Sequence, residues 1–150
     1  THRAAALKTM LGTAQGVEEL HTHRSITFWR EVRDITPLLD GATVTGDPLW
    51  RLSVPPMDGA RTMTGVLDQV PGRGLMDWAG GQLWLALEPG AEDGGVGSIR
   101  GTMDGGHATL IRGDAPVSVF QPEPAPLAKI SADLRAKFDP RGILNKGLMD

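Results

Sequence analysis

Cysteine and tyrosine are both absent from this 150-residue chain. Without cysteine there is no disulfide, no thiolate metal site and no cysteine nucleophile, and the composition is compatible with a reducing cytoplasm. Without tyrosine no phenol serves as acid or base. No run approaches the roughly 18 consecutive apolar residues of a membrane-spanning helix, and no signal-peptide pattern stands in these residues. A basic excess is missing too. The net charge is −3 and the pI about 5.8, which speaks against nucleic acid or an acidic membrane surface as partner. No phosphate-binding loop, dinucleotide fingerprint, nucleophile elbow or metalloprotease helix occurs. Glycine (20 residues) and proline (11) are plentiful and imply many tight turns. The length suits one domain with a modest core.

The chain is organised around Leu49 to Arg112. Leu49–Val54 alternates as a strand, with Trp50, Leu52 and Val54 on one face and Leu49, Arg51 and Ser53 on the other, and Pro55-Pro56 closes it. A helix follows from Asp58 as N-cap, with Met63, Val66, Leu67 and Val70 as its apolar stripe and Pro71-Gly72 as its stop. Gly74–Ala79 and Gln82–Glu88 read as strands around Gly80-Gly81, a hairpin signal because both turn residues need positive φ. A second helix runs from about Asp93, with Val96, Ile99 and Met103 inward, to Gly105-Gly106, and His107–Arg112 is the last strand. The order βαββαβ predicts an α+β fold of ferredoxin-like type: one antiparallel sheet with two helices on one face. A two-residue turn pairs Ala79 with Gln82 and Met76 with Leu85. That register sends Met76, Trp78, Leu83, Leu85 and Leu87 toward the helices, and Asp77, Gln82, Trp84 and Ala86 to the open face. A tryptophan on that face needs a cover, from this chain or another molecule.

Three segments result: a helical lead-in over 1–48, the βαββαβ unit over 49–112, and a Pro-rich arm, helix and tail over 113–150. The chain opens at Thr1-His2-Arg3 already inside a helical pattern, so it reads as cut from something longer, a chosen boundary being the bland alternative. The first helix ends at Gly12, and a loop to His23 follows. Ser25 caps a second helix that runs through Ile35 to Thr36-Pro37 and carries Phe28, Val32 and Trp29. Leu38–Pro48 is a turn-rich connection, and Val117–Phe120 has the pattern of a short extra strand. Leu127, Ile130, Leu134 and Phe138 mark a final helix stopped by Asp139-Pro140.

Residues able to carry chemistry are few. His21 and His23 have metal-ligand spacing but no third ligand nearby, so a solvated loop is the plainer reading. Gly94-Gly95-Val96-Gly97 offers amides to an anion, or is a loose connection. His107 follows a double glycine that permits close approach; a structural histidine is the bland alternative. Arg51 and Arg112 stand on strands, where each needs an edge, a partner or an anion; a surface arginine is the bland alternative for each. On a straight strand His107 and Arg112 face opposite ways. The four tryptophans are core by default.

Two sets of residues resemble a known family. Phe138-Asp139-Pro140-Arg141-Gly142-Ile143-Leu144-Asn145-Lys146-Gly147 resembles the closing signature F-D-P-x-x-[IL]-[LF]-N-P-G-[KR] of FAD-linked oxidases of the vanillyl-alcohol oxidase type. Phe28–Arg33, Leu49–Pro56 and Gly105–Leu110 look like the C-terminal half of the FAD-binding E subunits of bacterial glycolate oxidases. The resemblance implies a missing N-terminal FAD-binding domain, with this chain as the C-terminal domain that caps the flavin and shapes the substrate site. It carries Asn145 and Gly147 over as near-flavin positions, with Trp84 as a flavin-facing candidate. Lys146 stands where the family has Pro and Leu148 where it has Arg or Lys, which puts a basic flavin contact in doubt.

It further implies a small 2-hydroxy acid as substrate, its carboxylate on an arginine, and a base that takes the hydroxyl proton. Arg51 is the carboxylate candidate and His107 the base candidate; no metal ligand is assigned. A sister flavoprotein subunit and an iron–sulfur subunit are the implied partners. The implied location is cytoplasmic, or at the inner face of the membrane through the complex. The isolated chain is expected to be inactive. The alternative is a non-catalytic ferredoxin-like interaction or assembly module. An RNA-binding sheet is disfavoured by charge and by the lack of paired exposed aromatics on the strands.

Overall fold

The computed structural model describes residues 2–12, 17–39, 47–90 and 93–144. The predicted connection over 40–46 and the tail from Asn145 onward, with Lys146, Gly147 and Leu148, lie outside the described residues. Contacts divide the chain into two units, Thr1–Thr36 and Pro37–Asp150.

The first unit holds α1 (His2–Leu11) and α2 (Thr22–Arg33). Ion pairs join Lys8 to Glu19 and Arg24 to Glu18. Phe28 and Trp29 meet edge to face at 5.3 Å, and both stay exposed. Ser25 is not the cap of α2. The helix starts three residues earlier, and the His21 carbonyl accepts from the Arg24 and Ser25 amides, so His23 lies inside the helix. Its end also differs. Asp34 is the C-cap and Ile35 turns left-handed at φ 49°, which breaks the helix before Pro37. Pro37 then sits in the first turn of α3 (Thr36–Leu39), where its missing N–H costs nothing.

The second unit contains the predicted βαββαβ order: β1 (Leu49–Ser53), α4 (Gly59–Leu67), β2 (Gly72–Asp77), β3 (Gln82–Leu87), α5 (Val96–Thr102) and β4 (His107–Arg112). The strands lie in the order β2-β3-β1-β4, every neighbour antiparallel, which is the ferredoxin-like sheet. Each helix carries the chain across one strand. The core is the face that Trp50, Leu52 and Val54 share with Leu83, Leu85, Leu87, Ala108 and Leu110, closed by Val66 of α4 and Ile99 of α5. Met63, Leu67, Val70, Val96 and Met103 pack around it. Alternation in the strands and helical spacing in α4 and α5 therefore point to the same interior. Asp93 takes the Gly95 and Gly97 amides at 2.9 and 2.7 Å, fixing the entry to α5.

The hairpin differs from the sequence reading by two residues. Asp77 pairs with Gln82 and Met76 with Leu83, leaving Trp78-Ala79-Gly80-Gly81 as a four-residue turn. The glycines serve close approach instead of forming the turn's centre. A Cβ on Gly80 would lie 2.4 Å from the Pro56 carbonyl oxygen, and one on Gly59 would lie 2.1 Å from the Gly80 oxygen. With the pair held against the start of α4, positive φ extends over Trp78 (53°), Ala79 (52°) and Gly80 (98°), while Gly81 has negative φ. A shift of two preserves which face each residue occupies, so Leu83, Leu85 and Leu87 still meet the helices. Met76 keeps that face beside Leu83 but is exposed on the edge strand β2, whereas Trp78 falls in the turn and is 71% exposed. Of the four tryptophans only Trp50 is core; Trp84 is half-buried, and Trp29 and Trp78 are exposed.

Beyond β4, 117–120 forms no strand, though the Leu110 amide donates to the Val119 carbonyl at 2.9 Å. The last helix, α6 (Ala125–Phe138), leaves its apolar stripe Leu127, Ile130, Leu134 and Phe138 exposed. At its end the Asp139 carboxylate accepts from the Leu144 amide at 2.7 Å. That bond, followed by those from Ile143, Gly142 and Arg141, holds the carboxyl below its ordinary range. An acid whose pKa is lowered by folding contributes order above its unfolded value, about 4. That contribution is lost as pH falls through the lowered value. Acidification, or Asp139→Asn at neutral pH, is therefore expected to release the turn over 139–144. Faster hydrogen exchange at the Leu144 amide would report it, and unchanged exchange in both cases would contradict it.

Candidate functional site

The sheet face away from α4 and α5 is a grid of three rows read across β2, β3, β1 and β4. The rows are Arg73–Ala86–Leu49–Arg112, Leu75–Trp84–Arg51–Thr109 and Asp77–Gln82–Ser53–His107. Cross-strand partners share a face, so all twelve side chains belong to it. The grid brings together three of the residues singled out from sequence. Arg51 pairs with Trp84 across β1 and β3, its guanidinium carbon 5.9 Å from the indole centroid, a cation–π contact. His107 sits one row on from Arg51, exposed at the mouth of β4. Asn145 and Gly147 lie outside the described residues.

Arg112 departs from the straight-strand reading. Leu49 pairs with Arg112 while Trp50 pairs with Leu110, so β4 carries one extra residue, Ile111, as a bulge. The bulge reverses the parity, and Arg112 shares the face of His107 and Arg51. Gly106 fixes the other end of β4. Its φ is +86°, and a Cβ there would lie 1.9 Å from the Ser53 carbonyl oxygen.

The face is only partly open. Leu49, Ala86 and Thr109 are buried although they belong to it. At the β2 edge Arg73 donates to the Leu38 carbonyl at 2.7 Å and reaches that of Pro37 at 3.4 Å, so part of α3 supplies some of the cover that the sequence demanded. Arg51, Ser53 and His107 stay exposed and Trp84 half-buried. Arg73 and Thr109 escaped the sequence reading. Beginning β2 at Gly72 in place of Gly74 would have put Arg73 in step with Asp77.

Other chemistry-bearing stretches resolve differently. The Gly95 and Gly97 amides are taken by Asp93, so that glycine run is an internally satisfied helix entry. Among the described residues no group of three or more His, Cys, Asp or Glu is placed to hold a metal ion, and no helix is long and apolar enough to cross a membrane.

Comparison with known proteins agrees with the resemblance in sequence. No protein-family profile matches the chain, and no solved structure does. The glycolate oxidase subunit GlcE of Escherichia coli (strain K12) is 35% identical over 122 residues, which are 81% of this chain and 31% of that protein. The chain thus spans about a third of the length of the curated relative it matches. Over 81% of its own length, which includes the ferredoxin-like sheet, the chain is similar to glycolate oxidase subunit GlcE.

Proposed function

We propose that the chain is the C-terminal cap domain of an FAD-dependent subunit that oxidises a small 2-hydroxy acid such as glycolate, and that its half-open sheet face is turned toward the flavin. The observation that carries this reading is the convergence of Arg51, Trp84 and His107 on one face of a chain similar to GlcE. The described residues of that face fit a flavin. The row Leu75–Trp84–Arg51–Thr109 has no acidic side chain, presents an indole, and keeps a cation over it. Trp84 and Arg51 would hold the ring on this side, with Asn145 and Gly147 near it by resemblance to the family signature. The flavin supplies the acceptor for the hydride that leaves the acid's Cα.

The chain's own residues do the rest. Arg51 supplies positive charge to the substrate carboxylate. His107 accepts the hydroxyl proton on an imidazole nitrogen. Its place beside Gly105-Gly106 lets a small acid come close to the backbone. The exposed stripe on α6 supports work against a larger protein surface, which here is the FAD-binding domain of the same subunit. The sister flavoprotein and the iron–sulfur subunit are the further partners of this reading, in the cytoplasm or at the inner face of the membrane.

The test is the visible spectrum of the protein expressed from its whole reading frame, before and after glycolate. A bound flavin that bleaches is the expected result. Arg51→Ala is then expected to raise KM by about tenfold or more, the loss of the positive charge near the carboxylate. His107→Gln is expected to lower kcat by about 100-fold or more. A flavin that does not bleach moves the subunit to an assembly or relay role, and no flavin at all overturns the reading.

A further inference from the structure

The least explained group on the sheet is the Arg112 guanidinium. Its Nε and Nη2 are shut off from solvent and meet no acceptor among the described residues. These two nitrogens form one edge of the guanidinium, a parallel fork of N–H donors that matches the two oxygens of a carboxylate. Donors left unpaired in the interior keep the full cost of their lost hydration, which an acceptor would remove. The fork reaches this face through the bulge at Ile111, and it closes the row Arg73–Ala86–Leu49–Arg112. The other arginine of that row is committed to the carbonyls of Pro37 and Leu38, and Arg51 in the next row lies over Trp84. Of the three arginines, Arg112 alone holds a bidentate edge that is buried and meets no acceptor among the described residues.

We propose that the Nε–Nη2 edge of Arg112 is the bidentate seat for the carboxylate of the acid handled by this face, with Arg51 contributing charge alone. The proposal rests on the functional reading above for the identity of the acid, and on Arg112 alone for the seat. Seating a carboxylate requires a local shift of the groups that now close the edge. Two charge-assisted hydrogen bonds to the carboxylate offset that shift. Asp47 is the rival partner, because it is buried and stands two residues before Leu49, the cross-strand partner of Arg112.

The first experiment follows the Arg112 Nε–H signal of the 150-residue chain by NMR during titration with sodium acetate and, separately, inorganic phosphate. A saturable shift with acetate is expected. No shift, or a response to phosphate without one to acetate, overturns the seat. A shift produced by Asp47→Asn but not by acetate identifies an internal ion pair and also overturns it. The wild-type titration needs no variant to fold. The second experiment uses the protein from its whole reading frame. Arg112→Lys keeps the charge but loses the fork. It is expected to raise KM for glycolate by about 10- to 100-fold, with kcat within about threefold. An unchanged KM overturns the proposal. Absence of flavin or of glycolate turnover would instead sink the functional reading, and the acetate titration would still stand or fall by itself.

Discussion

Trp50→Ala is expected to cost about 3–5 kcal/mol, much of the roughly 5–15 kcal/mol that holds a domain of this size together. Trp50 is fully buried in β1, one of the two central strands, and is among the largest side chains of the core. Its removal opens a cavity between the sheet and the helices. It also strands a hydrogen bond, since the indole Nε1 donates to the Gly94 carbonyl at 2.9 Å, at the entry to α5. The same ring carries the Arg100 guanidinium at 5.9 Å. Arg100 in turn donates to the carbonyls of Ser118 and Phe120 at 2.8 and 2.9 Å, and burial pushes its pKa down. One side chain therefore ties the core, the start of α5 and the arm after β4. Trp50→Phe keeps most of the apolar surface and is expected to cost less. Trp78→Ala, at an exposed turn, is expected to stay within about 0.5 kcal/mol of wild type. Urea unfolding of the three variants decides it, and equal costs at Trp50 and Trp78 would contradict a core centred on Trp50.

Gly106→Ala is expected to cost about 3 kcal/mol and to disturb the site as well as the fold. The left-handed backbone at φ +86° carries roughly 1–2 kcal/mol for any residue with a Cβ. The added carbon would also overlap the Ser53 carbonyl oxygen at 1.9 Å, and relieving that needs a backbone shift of about 1–3 kcal/mol. Ser53 pairs with His107, so the shift falls on the strand end that carries the candidate base. Gly105→Ala is the control, because nothing lies within 4 Å of its Cβ position. The expected result is a lowered urea midpoint and a displaced His107 ring signal for Gly106→Ala, with neither for Gly105→Ala. Equal behaviour of the two would show that the close approach to Ser53 does not position His107.

Much of the fold is legible in the amino-acid sequence. Alternation in Leu49–Val54 and in Gln82–Glu88, helical spacing at Val66 and Ile99, and the order of the elements are enough for a ferredoxin-like sheet. Hydrophobic periodicity is local, and burial rewards it wherever the strands come to lie. The same alternation puts Arg51 and Trp84 on one face. The closing F-D-P motif points to FAD-linked oxidases, and its Asp139 proves to be the acceptor that folds the following residues back. That bond joins residues five apart and needs no distant partner.

Where sequence and structure part, a distant contact intervenes. The Gly80-Gly81 pair has the pattern of a two-residue turn, but Pro56 and Gly59 press against Gly80, so the turn widens and Trp78 leaves the core side. The three tryptophans outside the core share this cause, since an apolar side chain is buried only if tertiary structure brings something over it. The bulge at Ile111 leaves no mark in a six-residue strand, yet it sets the face of Arg112. The amino-acid sequence by itself determined the element order, the apolar face of each strand and the similarity to GlcE. The hairpin register, the side on which Arg112 emerges and so its joining of Arg51, Trp84 and His107 on one face were decided only by the tertiary structure. Each depends on backbone contacts between residues far apart in the chain, and periodicity carries no information about those.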